Sequence, residues 1–261
     1  MKIAVTGKGG VGKTFIAGTL ATIYSREGRP VIAIDADPSP NLAMTLGLTE
    51  EEADRILPVA ENEELIRLKT TTDYPGVFRL TFTVDDIIDR FAVVTPSGAH
   101  LLVMGTVRSL GSGCNCPANT VVKALLRHLL VERDEVVILD MEAGIEHLGR
   151  GTAGNVDIML VATDANKKSL ETARAICRMV AGSPIRQVGL VANRINGPVQ
   201  AGLFSAFAKK HRLSVLGMIP YDHQVFTAGI TGVPVDETTS VARGAINQLA
   251  QRLTATSFKT T

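Results

Sequence analysis

The chain has no tryptophan, and aromatic residues make up only 4% of its 261 positions. So few rings leave little for nucleobases to stack on, which argues against a single-stranded nucleic-acid binder. Neither sign of charge is in surplus. The 27 Lys and Arg stand against 26 Asp and Glu, a formal net charge of +1, so no bulk field draws nucleic acid or an acidic substrate. Cysteine is scarce as well: three residues, an odd number, give no disulfide framework and fit a reducing compartment. No apolar run approaches the roughly 20 residues needed to span a bilayer. Met1 also leads directly into an apolar strand pattern rather than a charged segment and signal core. These absences lead us to expect a cytoplasmic protein with neither nucleic acid nor membrane as partner. What is plentiful is apolar surface, 45% of residues, enough to bury the core of one large domain spanning 1–261.

The most informative stretch is the first. Met1 to Val5 is a short apolar strand running into Gly7-Lys-Gly-Gly-Val-Gly-Lys-Thr14. Gly7 and Gly12 have the spacing of G-x-x-x-x-G-K-[ST], in which backbone N–H groups close around a phosphate where a Cβ would block the approach. Lys13 adds positive charge at the β and γ phosphates. Thr14 opens the next helix, where its hydroxyl can hold Mg²⁺ and the helix N-terminus favours anions. The nucleotide contacts fall on Gly9, Gly10, Val11, Gly12, Lys13, Thr14 and Phe15.

Downstream, Phe15 to Arg26 has helical periodicity, and Val31 to Asp35 is a continuous apolar run of the kind covered on both faces. Thr49 to Leu57 is acidic and reads as a solvated helix. Residues 58–99 are irregular, and we expect an insertion of helix plus hairpin, with Val77 to Phe82 as a half-exposed strand. Strands are then expected at 101–104, 136–140, 158–161, 188–192 and 215–218, alternating with helices at 119–131, 168–181, 199–211 and 241–253. The tail from Thr254 is expected to fray. This alternation implies an α/β fold: a doubly wound, mainly parallel sheet with helices on both faces and ligands at the carboxyl ends of the strands.

Two strand ends carry carboxylates. Asp140 closes an apolar strand, where an aspartate can hold Mg²⁺ through water beside Thr14. Asp35 and Asp37 end another. Asp35 is a candidate to support the metal, and Asp37 to orient the attacking water. Together, Gly7 to Thr14, Asp35-Ala-Asp-Pro38, Asp140-Met-Glu-Ala-Gly144 and Asn193 resemble the deviant Walker A ATPases, which include MinD, ParA and the nitrogenase iron protein. The resemblance implies that Lys8 crosses a dimer interface to the partner's nucleotide, so that ATP closes two chains face to face, much as an arginine finger acts in trans. It also implies that Gly144 gives its N–H to the γ-phosphate and that Asn193 recognises adenine.

Gly111-Ser-Gly-Cys114-Asn-Cys116-Pro117 is the second chemical signal. On a helix, residues two apart point roughly 200° away from each other, and on a strand they stand about 7 Å apart. A loop rich in glycine and proline can bring the two sulfurs together. Two thiolates leave an ion half coordinated, whereas Cys114 and Cys116 from both chains of a two-fold dimer supply four. Zn²⁺ and Ni²⁺ both suit such ligands; a reduced pair and a local disulfide are the other readings of the same residues. Cys177 lies on the apolar side of its helix and reads as core. With Asp140 to Thr152, the C-x-C motif resembles the CooC family over nearly the whole chain. These are nickel-insertion ATPases that mature carbon monoxide dehydrogenase, related to the accessory proteins of acetyl-CoA synthase. The resemblance implies ATP, Mg²⁺ and Ni²⁺ as ligands and such a nickel enzyme as client. Phe15 and Glu142 depart from the commoner patterns. Glu146 and His147 are candidates for transient metal contacts or for hydrogen bonds within the switch loop.

Overall fold

The computed structural model describes residues 1–37, 39–74, 78–79, 82–105, 117–143, 155–231, 235 and 238–257. Unbroken apolar runs settle only where both sides are covered, and the central strands do so. β1 (Lys2–Gly7), β2 (Val31–Asp35), β5 (Val136–Asp140) and β6 (Ile158–Thr163) are buried at every residue. With β3 (Val93–Val94), β4 (His100–Val103), β7 (Gln187–Ile195) and β8 (Val215–Pro220) they form one eight-stranded sheet. The order is β3-β4-β2-β5-β1-β6-β7-β8, parallel throughout except where β3 meets β4.

Ten helices lie among the described residues: α1 (Lys13–Arg26), α2 (Leu42–Thr45), α3 (Glu50–Asp54), α4 (Glu63–Thr70), α5 (Asp85–Phe91), α6 (Pro117–Val131), α7 (Lys167–Met179), α8 (Gly197–His211), α9 (His223–Thr231) and α10 (Val241–Ser257). Because strand side chains alternate, each strand feeds two cores. Ala4, Val137, Leu139, Met159 and Val161 pack beneath α6, α7 and α8. Ile3, Val5, Val136, Ile138 and Leu160 pack beneath α1 and α10. The sheet therefore has helices on both faces, as the alternation implies.

Three points go beyond or against the expectations. The strand expected from Val77 to Phe82 lies partly outside the described residues; Phe78, within it, is half exposed and forms the isolated bridge Thr71–Phe78. The insertion holds a 3-10 turn (Val59–Glu61), α4, α5 and β3, which pairs back on β4. These pack Val59, Leu65, Val84, Ile87 and Ile88 into the core beside α6. The tail does not fray at Thr254. α10 continues to Ser257 because Leu253 is buried and Arg29 reaches the Thr254 hydroxyl at 3.4 Å. Finally, α9 has no periodic signal in the sequence because it buries no residue. No helix among the described residues is long and apolar enough to cross a membrane.

Candidate functional site

The parallel register decides what meets at the carboxyl edge. Val5 of β1 and Asp35 of β2 both stand level with Asp140 of β5, so the glycine loop and the two aspartates end together. At Gly7, φ is +151° and an added Cβ would lie 2.3 Å from the Ala162 carbonyl oxygen of β6. Only glycine lets the chain leave the sheet so tightly. At Gly12, φ is +91° and a Cβ would lie 2.3 Å from Asn193 Nδ2. That glycine admits a neighbouring side chain as well as a phosphate. Lys13, the first residue of α1, is 6% exposed and Thr14 follows at the helix mouth. Phe15 is half buried against the α1 face of the core.

The two in-register aspartates have different surroundings. Asp35 accepts three backbone N–H groups, from Asp37 at 3.2 Å, Asn41 at 2.9 Å and Leu42 at 2.8 Å. Burial nevertheless pushes its carboxyl up to about 6. It anchors the 36–42 segment and the start of α2, and its oxygens are engaged in that task. Asp140 is fully buried, and neither oxygen has a hydrogen bond of ordinary geometry. Burial pushes it up to about 7, with the Thr14 hydroxyl as the largest opposing influence, the Asp35 charge raising it further and Lys13 lowering it. A buried carboxylate without partners, beside a hydroxyl, fits a hard divalent cation. Thr14, and Asp140 directly or through water, would hold Mg²⁺, which would neutralise charge on the β and γ phosphates. Asp37 is half exposed, accepts the Ser39 N–H at 3.0 Å and lies at the edge of this group.

Asn193 lies inside β7, not beyond a strand end, and donates its amide to the Val11 carbonyl at 2.8 Å. Next to it, Arg194 takes φ +57° at an irregularity of the β7–β8 pairing. Its guanidinium donates to the Gly10 carbonyl at 2.9 Å. β7 thus fastens the loop twice, through the carbonyls of Gly10 and Val11. Sequence reasoning missed Arg194, since no glycine or asparagine marks its left-handed backbone. Thr6 was missed as well; its hydroxyl donates to the Glu142 carbonyl at 2.7 Å and pins the backbone just beyond β5 to β1. We expect Arg194→Ala to weaken ATP binding about three- to tenfold, the worth of one ordinary hydrogen bond, while leaving kcat nearly unchanged. Nucleotide titration beside steady-state kinetics checks this.

Lys8 is half buried, with its carbonyl accepting from Val11 N–H at 3.4 Å, and Gly9 and Gly10 are exposed beyond it. Gly144, Glu146, His147, Cys114 and Cys116 lie outside the described residues. Cys177 is half buried against the core, and burial pushes its thiol up to about 11.

Comparison with known proteins agrees with this geometry. Residues 2–235 match the CobQ/CobB/MinD/ParA nucleotide binding domain. An uncharacterized ATP-binding protein of Methanocaldococcus jannaschii is 41% identical over 246 residues, covering 93% of this chain and 94% of that one. The carbon monoxide dehydrogenase accessory protein CooC of Rhodospirillum rubrum is 40% identical over 255 residues, covering 97% and 96%. Among solved structures, a ParA family ATPase from Chlorobium tepidum superposes with a TM-score of 0.70 at 18% identity, covering 97% of this chain and 98% of that one. MinD of Aquifex aeolicus, in its complex with MinC, gives 0.69 at 22%, covering 98% and 96%. A phosphate loop fastened at Gly10 and Val11, with a buried aspartate level with it, is thus carried on a chain that matches the domain from β1 to residue 235: this protein belongs to the CobQ/CobB/MinD/ParA nucleotide-binding family and is a P-loop ATPase.

Proposed function

We propose that this ATPase is a nickel-delivery chaperone for a carbon monoxide dehydrogenase or acetyl-CoA synthase type of enzyme. Two chains close on ATP and bring the Cys114 and Cys116 pairs of both to one cargo ion. The observation that carries this reading is the C-x-C motif on a chain 40% identical, almost end to end, to a carbon monoxide dehydrogenase accessory protein.

The loop tip gives independent support for closure. A Cβ at Gly9 would meet no atom within 4 Å, and Gly9 has no left-handed backbone to require glycine. No described residue of this chain explains the missing side chain, whereas an approaching second copy or nucleotide does. Lys8, beside it, reaches the partner's nucleotide, while Lys13 and the loop N–H groups hold the phosphates of its own and Asp37 orients the attacking water. Adenine recognition by Asn193 requires that its amide leave Val11, which couples base binding to the shape of the loop. If ATP draws the chains together, the two cysteine pairs must move too, and bonds of about 2.3 Å tolerate little displacement.

A membrane-positioning ATPase of the MinD type would need a C-terminal helix with a free apolar face. α10 turns Ala242, Ile246, Leu249, Ala250 and Leu253 into the core instead. An iron–sulfur electron donor sharing a [4Fe–4S] cluster across the dimer would also take two thiolates from each chain; a brown, iron-containing anaerobic preparation would favour it over nickel delivery.

Anaerobic Ni²⁺ titration of the nucleotide-free, ADP and ATP states tests the reading. We expect the affinity of the cysteine-bound ion to change at least tenfold between states, one such ion per two chains, and loss of that ion in Cys114→Ala and Cys116→Ala. Equal affinity in all three states would sink the coupling.

A further inference from the structure

Another group of metal-capable side chains lies where α5 meets α6. His128 of α6 is 6% exposed. Its Nδ1 stands 2.9 Å from Glu132 Oε2, one turn along the same helix, and its Nε2 stands 3.3 Å from Asp85 Oδ1 at the first residue of α5. One ligand atom from each of the three residues lies within 4.8 Å of the others. Nε2 is buried and makes no hydrogen bond. Since Asp85 is close enough to accept one, its oxygen must sit off the direction in which a ring N–H would point. Two ligands bonded at about 2.0–2.1 Å to a tetrahedral ion stand about 3.3–3.4 Å apart and off each other's axis, and Nε2 and Asp85 Oδ1 have that separation. Glu132 on Nδ1 is the carboxylate that, in metal sites, fixes the tautomer with the Nε2 lone pair turned to the ion.

We propose that His128 Nε2 and the Asp85 carboxylate bind one divalent transition-metal ion, with Glu132 orienting the imidazole, and that the ion clips α5 to α6. Imidazole with carboxylate suits Zn²⁺, Ni²⁺ or Cu²⁺ and not Mg²⁺. Nearby cations have other carboxylates: Lys69 and Arg90 pair with Asp86, and Arg133 with Glu135. The Asp85 and Glu132 side chains are 67% and 61% exposed, so the remaining coordination positions face water. The site uses neither the nucleotide nor the cysteine pair, and it stands or falls apart from the nickel-delivery reading.

The full chain carrying Cys114→Ser and Cys116→Ser, stripped of metal, is titrated calorimetrically with ZnCl₂, with MgCl₂ as comparison. We expect one Zn²⁺ per chain and no comparable Mg²⁺ uptake. Glu132→Gln should weaken Zn²⁺ about 10- to 100-fold, Asp85→Asn at least tenfold, and His128→Gln should abolish binding. Zn²⁺ should also raise the melting temperature of the parent and not that of Asp85→Asn. Asp85 and Glu132 are exposed, so these two variants keep the test valid if His128→Gln does not fold. Absence of Zn²⁺ uptake by the parent, or uptake indifferent to Asp85→Asn and Glu132→Gln, overturns the proposal and leaves His128 as a side chain held between two carboxylates.

Discussion

Asp140→Asn is expected to lower Mg²⁺-dependent ATP hydrolysis about 10²- to 10³-fold and, at the same time, to raise the melting temperature of the nucleotide-free chain at pH 8. The first effect follows from losing the carboxylate beside Thr14, since a correctly placed cation contributes several kcal/mol to charge development in phosphoryl transfer. The second follows from burial. Asp140 is fully enclosed, level with Asp35, and its oxygens lack hydrogen bonds, so its charge is costly until a cation arrives. Its carboxyl is raised to about 7 from an ordinary 3.8. Between those values the folded chain keeps a proton that the unfolded chain has released, so stability falls as pH rises through that window and stays low above it. Asparagine has the same outline and no such proton. The gain at pH 8 is on the order of 2 kcal/mol, or about 4 °C or more in a chain of this size, and it should shrink toward pH 4. Melting curves at both pH values without Mg²⁺, beside initial rates with it, are the measurement. A variant that hydrolyses ATP normally, or is less stable at pH 8, contradicts the assignment.

Lys8→Ala is expected to abolish ATP-promoted dimerisation and to slow hydrolysis about 10³-fold or more, the scale of a charge supplied in trans to the transferring phosphoryl group. ATP binding to the single chain should stay within a few-fold of normal, because Lys13 and the loop N–H groups remain. The decisive form of the experiment mixes two inactive chains. Lys8→Ala keeps its own phosphate site but cannot serve a partner, while Lys13→Gln loses its site but still carries Lys8. Neither chain closes with its own kind, so the mixed dimer is the pair that forms; it has one working site of two, and up to about half of normal activity returns if Lys8 crosses the interface. No recovery, or a Lys8→Ala chain that still dimerises with ATP, would place the lysine on its own nucleotide. Gly9→Ala makes a useful companion: its Cβ enters open space within this chain, so stability should be unaffected while closure suffers.

Much of this site could be read before folding was considered. The strand expectations at 31–35 and 136–140 coincide with β2 and β5, because a run buried on both faces must be apolar at every position and ends where its first carboxylate appears. The glycine loop was legible for a similar reason: close approach to a phosphate leaves few residue types free. The insertion was not legible. α4 and α5 are short, and their apolar residues find partners in tertiary neighbours, α4 on α6 and α5 on β4. Arg194 and the group at His128 were hidden in the same way, since each depends on pairs of residues that no local pattern links.

The sequence by itself determined that a phosphate loop, two strand-end aspartates and a cysteine pair share one doubly wound chain. It put both aspartates at the cation, Asp140 holding it through water and Asp35 supporting it, because each closes an apolar run. Only the tertiary structure decided between them. The backbone after β2 turns back so that the N–H groups of Asp37, Asn41 and Leu42 fall on the Asp35 carboxylate. Among the described residues, Asp140 meets no such donors. A buried carboxylate must be paired, protonated or bound to a cation, and Asp140 is the one the fold leaves for the cation.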